Sequence, residues 1–245
     1  MTHEERVELA REIASQLLSE HGDAIVAIAI YGSVAKNEDA EHSDLEMWAV
    51  KATGSNPSPQ RLFIQEGIFV DLSFIFEERI LRMAGEVDEE WPITADSWRS
   101  YMPLYDRNDF FERLAQAASD LNEEDFSDAM RTAMLWTYET VGKLKNAAAR
   151  NDMYGVMNMG RHLVWNAAMM LGLANRRWYP SQRGLYQMSK TMEKQPKDYP
   201  RLLDVAGGFI TADTGQVYEA SLELWNNLQE FARGLGVEWE DGQAV

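Results

Sequence analysis

"YGSVAKNEDAEHSDLEMWAV", residues 31–50, decides how the first half of the chain folds. It begins where a short, wholly apolar, β-branched run, "AIVAIAIY" (24–31), ends, and such a run reads as a central strand. Gly32 and Ser33 leave that strand, ten residues intervene, and Asp44 and Glu46 open a second strand over 44–50. Side chains alternate along a strand, so Asp44 and Glu46 project from one face while Leu45, Met47 and Ala49 point from the other into a core. Two carboxylates side by side repel each other, and partial burial strips each of hydration. Together these cost several kcal/mol unless a cation sits between them.

A third strand is expected over "IFVDLSFIF" (68–76), where Asp71 stands alone between Val70 and Leu72 and needs a partner if buried. If this strand lies beside the second, three oxygen donors converge. Hard oxygen ligands with no coordinating histidine beside them suit magnesium better than zinc. A glycine at a strand exit lets the backbone approach a ligand closely. Gly32 with the hydroxyls of Ser33 and Ser43 can therefore cradle phosphate oxygens, and Lys36 lies close in sequence. Each feature alone has an ordinary account: a frayed strand end, an acid bonded to an amide or an arginine, a turn. The joint spacing points to a phosphate and a divalent ion.

Outside this stretch, Thr2 and Glu5 form a capping box ahead of Val7, Ala10, Ile13, Ala14 and Leu17 at helical spacing, and Gly22 and Asp23 end that helix. Residues 51–61 read as an exposed loop. After residue 77 helical periods take over, at 77–85, 108–120, 125–150, 154–173, 183–193 and 214–234. The fold class is α+β: a mixed sheet of three or four strands with flanking helices (1–120), then an all-helical bundle (121–245). In the helix over 125–150, Met130, Ala133, Met134, Val141 and Leu144 form the core stripe, and Glu139 and Lys143 share another face. Such a pair is ordinarily a surface ion pair contributing roughly 0.2–0.5 kcal/mol.

The chain has 245 residues, with 40 acidic against 23 basic and a formal charge of -17. That balance disfavours nucleic acid and anionic membranes and attracts cationic small molecules. The absence of cysteine excludes disulfides, thiolate zinc sites and thiol nucleophiles. With no secretory signal and no apolar stretch of about 20 residues, a cytoplasmic protein is expected. His3, His21, His42 and His162 show no metal-ligand spacing, and only His42 is near the acidic motif. Trp136, Trp165 and Trp225 read as packing residues, while Trp48 falls on the Asp44 side of its strand, where it would wall a cleft.

The pattern GS-x10-D-x-E with a third acid resembles the polymerase-β-like nucleotidyltransferase superfamily. With "WPIT" (91–94), "MPLYD" (102–106), "YETVGKLKN" (138–146) and "LELWNNLQEF" (222–231), the chain is similar over nearly its full length to the aminoglycoside 4'-O-nucleotidyltransferase (kanamycin nucleotidyltransferase) family. The resemblance implies magnesium-dependent transfer of a nucleoside monophosphate, usually AMP, from ATP or another nucleoside triphosphate to a hydroxyl, the 4' one in the family, of an aminoglycoside, with release of pyrophosphate and antibiotic resistance as the outcome. It assigns Asp44 and Glu46 to the metal, with Asp71 as the third acid. Ser33, Lys36, Ser43 and Lys143 contact phosphates, and Glu139 acts as general base. It also implies a homodimer with clefts between subunits.

The chain departs from the family at several positions. Leu135 and Trp136 stand where the family carries acids for the drug's ammonium groups. Phe69 replaces a lysine and Lys36 an arginine. Glu86, Asp88, Glu89 and Glu90 are the nearest charges able to restore a negative cleft, although such a run is ordinarily a solvated face. Two other functions fit the same motif: a minimal nucleotidyltransferase acting on a protein or another small molecule, and a nucleotide-binding module without catalysis.

Overall fold

The structure, a computed structural model, describes residues 1–52 and 60–239, so most of the loop expected over 51–61 lies outside the described residues. The chain forms two compact units, one of Met1–Glu86 with Thr94–Leu121, the other of Val87–Ile93 with the residues from Asn122 onward.

In the first unit, helix α1 (His3–His21) starts at the expected box: the Thr2 hydroxyl accepts from the Glu5 amide, and the Glu5 carboxylate accepts from the Thr2 amide. The chain then runs through β1 (Ile25–Tyr31), a single helical turn α2 (Gly32–Ala35), β2 (Leu45–Lys51), β3 (Arg61–Gln65), β4 (Ile68–Phe76), α3 (Glu77–Gly85), β5 (Tyr101–Asp106) and α5 (Phe110–Ser119). The short helix α4 (Trp91–Thr94) precedes β5. Among the described residues the sheet has five strands in the order β3-β4-β2-β1-β5, with β2 and β4 parallel and the other pairs antiparallel.

Both edge strands go beyond the sequence expectation. β5 contains Pro103, which an edge strand tolerates because one of its sides needs no donor. β3 and β4 are joined by the two residues Glu66 and Gly67, both at positive φ (52° and 79°), the geometry that a tight hairpin requires.

The sheet is covered on both faces. Leu45, Met47, Ala49, Val70 and Leu72 pack with Val7, Ile13 and Leu17 of α1. On the other face Trp48 and Val50 pack with Ile80, Phe110, Phe111 and Leu114. Trp48 is therefore a core residue, 3% exposed and edge-on to Phe110 and Tyr101, and does not wall a cleft. Glu46, at the leading end of β2 on that face, is left partly exposed.

The second unit is built on two long antiparallel helices, α6 (Glu123–Ala149) and α7 (Met153–Asn175), joined by three residues. Asn122 caps α6, whose first turn carries Glu123, Glu124 and Asp125, and Asp152 caps α7. Leu144, Ala147 and Val156 close on Val217 of α10 (Thr214–Gly234). Where a helix is expected over 183–193, a 3-10 turn (Gln182–Gly184) leads into the short α8 (Leu185–Ser189), followed by α9 (Tyr199–Ala206), which the prolines around it hide from sequence reading. Pro200 sits in the first turn of α9, where no intrahelical donor is needed. Arg176 ends α7 in a left-handed cap, bonded to the Leu173 carbonyl and paired with Glu123 at 3.0 Å.

Candidate active site

The backbone register aligns three site residues across the sheet. Tyr31 of β1 stands opposite Glu46 of β2, and Glu46 stands opposite Asp71 of β4. In-register neighbours share a face, so Glu46 and Asp71 are adjacent on it, and Asp44 lies one alternation before Glu46. Burial pushes the Glu46 carboxyl up to about 7, with Asp44 and Asp71 adding repulsion that Lys36 only partly offsets. Burial, aided by Glu46, Asp71 and Asp44, also holds the Tyr31 hydroxyl well above its ordinary value.

Gly32 is what lets Glu46 reach this position. It has φ +71°, and a Cβ there would lie 1.9 Å from the Glu46 carboxylate oxygen Oε2. The glycine at the strand exit thus serves close approach, as its position suggests, and the group that approaches is the acid itself.

The expected convergence of three donors is incomplete. Among the described residues no three acid or imidazole side chains form a metal-ligating cluster. Asp71 is engaged by other partners: its two carboxylate oxygens each lie 2.8 Å from the Gln60 amide nitrogen, with the Ser73 hydroxyl at 3.5 Å. The donor set nevertheless fits a hard divalent cation: it is all oxygen, and its mutual repulsion adds to the burial that lifts Glu46.

The residues expected at phosphate have local partners. Ser33 lies in the single turn of α2, and its carbonyl accepts from the amides of Lys36 and Glu38. Lys36 is ion-paired with Asp96 at 2.7 Å, and both side chains are largely buried. Ser43 Oγ accepts from the Ala40 amide at 2.9 Å and so holds the turn that leads into Asp44.

Glu139 and Lys143 form the expected ion pair on α6 at 3.0 Å, half exposed. They line a cleft of about 360 Å³ within the helical unit, together with Glu89, Glu90, Trp136 and Trp165. The acidic run is therefore not a plain solvated face, since Glu89 and Glu90 turn into this cleft. Trp136, read as a packing residue, is instead 54% exposed. His162 and Asn166 of α7 also line the cleft, and neither carries a sequence signal because α6 meets α7 only in the folded helix pair. Gln60, Asp96 and Arg6 were likewise hidden. Arg6, 1% exposed, pairs with Asp39 at 2.8 Å and donates to the carbonyls of Ala40 and Glu41, clamping the loop before Asp44 across more than thirty residues.

Comparisons with known proteins agree with this layout. Residues 108–238 match the KNTase C-terminal domain family. Two relatives, each named aminoglycoside nucleotidyltransferase (4'), one from Staphylococcus aureus and one from a Bacillus species, are 27% identical over 237 residues, covering 96% of this chain and 93% of theirs. The crystal structure of a nucleotidyltransferase-like protein from Exiguobacterium sibiricum shares the fold, with a TM-score of 0.57 at 11% identity over 91% of this chain and 74% of that one. More than half of the chain lies within the family match, and the acids of the first unit stand in a fold shared with that nucleotidyltransferase-like protein. The chain belongs to the KNTase C-terminal domain family and is a nucleotidyltransferase.

Proposed function

We propose that the protein transfers AMP from ATP to a hydroxyl, the 4' one, of an aminoglycoside, and that it works in the cytoplasm as a magnesium-dependent homodimer. The observation that carries this reading is Glu46, lifted to about 7 beside Asp44 and Asp71 at a glycine that makes room for its carboxylate. Asp44, Glu46 and Asp71 would hold the magnesium ion, which when bound supplies charge neutralisation on the triphosphate. Asp71, which Gln60 now engages, would be the third of these ligands.

The chain's own residues perform the remaining work. Gly32, Ser33, Ser43 and Lys36 receive phosphate oxygens, and Lys36 does so while Asp96 fixes its ammonium group. Glu139 accepts the proton of the acceptor hydroxyl as its oxygen bonds to the α-phosphorus. The bond from that phosphorus to the β-phosphate oxygen breaks, and pyrophosphate leaves with the electron pair. Lys143, one turn from Glu139, offers its ammonium group to the phosphates. The drug's amino groups meet the negative cleft that Glu89 and Glu90 line.

The test is incubation with ATP, magnesium and kanamycin. A mass gain of one AMP on the drug, matched by pyrophosphate release, is expected. AMP on protein instead would favour a minimal nucleotidyltransferase, and nucleotide binding without transfer would favour an inactive module. Glu139→Gln is expected to lower turnover about 10²-fold or more while nucleotide binding persists. Light scattering should report a dimer; an active monomer would overturn that part.

A further inference from the structure

We infer that Glu89, held in place by the indole of Trp136, is the ammonium-binding group of the helical cleft, and that the pair selects acceptors presenting a charged amine beside the apolar face of a sugar ring. The inference rests on the aminoglycoside reading above and gives it a specificity determinant.

Trp136 is the starting point. It is 54% exposed on α6, yet its Nε1–H donates to Glu89 Oε1 at 3.0 Å, so the ring is fixed without being buried. An indole pinned by its N–H at the wall of a cleft offers a flat apolar surface, and the C–H face of a pyranose matches such a surface. The hydrogen bond also orients Glu89. One carboxylate oxygen accepts from the indole, and the carboxylate retains acceptor sites for an ammonium.

Glu89 is as well anchored from its own side. Two residues on, Trp91 is 3% exposed and packs edge-on against Phe126, with ring centroids 5.0 Å apart. Pro92 lies against Gly172 of α7 so closely that a Cβ on that glycine would be 2.4 Å from the proline Cβ, and its carbonyl accepts from the Tyr179 amide at 2.6 Å. The segment is a fixed part of the helical unit, and the acid it carries is positioned rather than afloat.

Charge and size agree. Glu89, Glu90 and Glu139 face the cleft against one ammonium, that of Lys143, which is already paired with Glu139. The volume of about 360 Å³ suits one or two sugar rings.

Steady-state kinetics with ATP, magnesium and kanamycin test the inference. Glu89→Gln keeps an acceptor for the indole and removes the charge. It is expected to raise the aminoglycoside KM about tenfold, the effect of one partly solvated charge-assisted hydrogen bond, with the ATP KM and kcat held within about twofold. Trp136→Phe keeps a ring face but releases Glu89, and a rise of about threefold is expected, with a larger one for Trp136→Ala. A folding defect would disturb ATP handling and kcat as well, so the split between the two KM values separates recognition from structure. An unchanged aminoglycoside KM in Glu89→Gln, with wild-type enzyme active on the drug, overturns this inference alone. Wild-type protein that neither binds nor modifies any aminoglycoside overturns it together with the function on which it rests.

Discussion

Glu46 is held where its charge is least welcome, and the strain has a measurable sign. Its folded pKa of about 7 exceeds the ordinary carboxylate value, first through burial and then through Asp44 and Asp71. The folded protein therefore binds this proton more tightly than the unfolded chain does. Stability from this group is fully present below the unfolded pKa and is lost as pH rises through about 7. Without metal, Glu46→Gln is expected to raise the thermal midpoint at pH 8 and leave it nearly unchanged at pH 5; with magnesium supplied, the same substitution is expected to abolish transfer at both. Differential scanning calorimetry across that range checks it, and a variant less stable at pH 8 would refute the electrostatic account. Gly32→Ala probes the same carboxylate from the backbone side. A side chain there meets a positive φ and Glu46 Oε2 at once, so about 1–2 kcal/mol of stability and nearly all activity should go, by unfolding and turnover assays. At this scale the sequence was informative about types and spacing: the acids, the glycine and the Glu139–Lys143 pair are all read from local pattern. Their partners were not, because Gln60 reaches Asp71 and Asp96 reaches Lys36 through tertiary packing that no local period encodes.

Among the elements, the most consequential is the loop between α2 and β2, which carries Ser43 and delivers Asp44. It is tied to α1 by Arg6 and Asp39, whose side chains are 1% and 2% exposed, and His3 Nδ1 lies 2.6 Å from the same carboxylate. Arg6→Ala would leave Asp39 buried without its main cation. A loss of about 3 kcal/mol follows, lowering the thermal midpoint by roughly 6–12 °C. Arg6→Met combined with Asp39→Asn should recover at least half, since the uncompensated charge is gone; no recovery would show that geometry, not charge, dominates. The long helix α6 offers the opposite sign. Gly142 is exposed in its interior and nothing lies within 4 Å of a Cβ there, so Gly142→Ala should stabilise the helix by about 0.5–1 kcal/mol, read as a higher unfolding midpoint. Strongly periodic elements such as α1, α6, α7 and α10 were legible in the sequence because one face of each must be apolar. The edge strands β3 and β5 were not, since each is half solvated and gains its definition from the neighbour it pairs with.

For the whole molecule the deciding quantity is the formal charge of -17, the one global property that composition alone makes plain. What composition hides is where the charge gathers: on a strand end in one unit and around a cleft in the other. A field of this sign acts in opposite senses on the two proposed substrates. It draws a polycationic aminoglycoside toward the protein and repels the triphosphate, whose charge magnesium only partly cancels. The Debye length shrinks from roughly 20 Å at about 20 mM salt to under 8 Å at about 300 mM, so both effects fade as salt is added, and fade differently. Over that range kcat/KM for the drug should fall about tenfold while kcat/KM for magnesium ATP holds steady or rises. Using potassium chloride at fixed magnesium keeps metal occupancy out of the comparison. Parallel salt profiles for the two substrates would mean that the acidic surface does not steer the drug, whereas opposite slopes would tie the protein's charge balance to the class of acceptor it modifies.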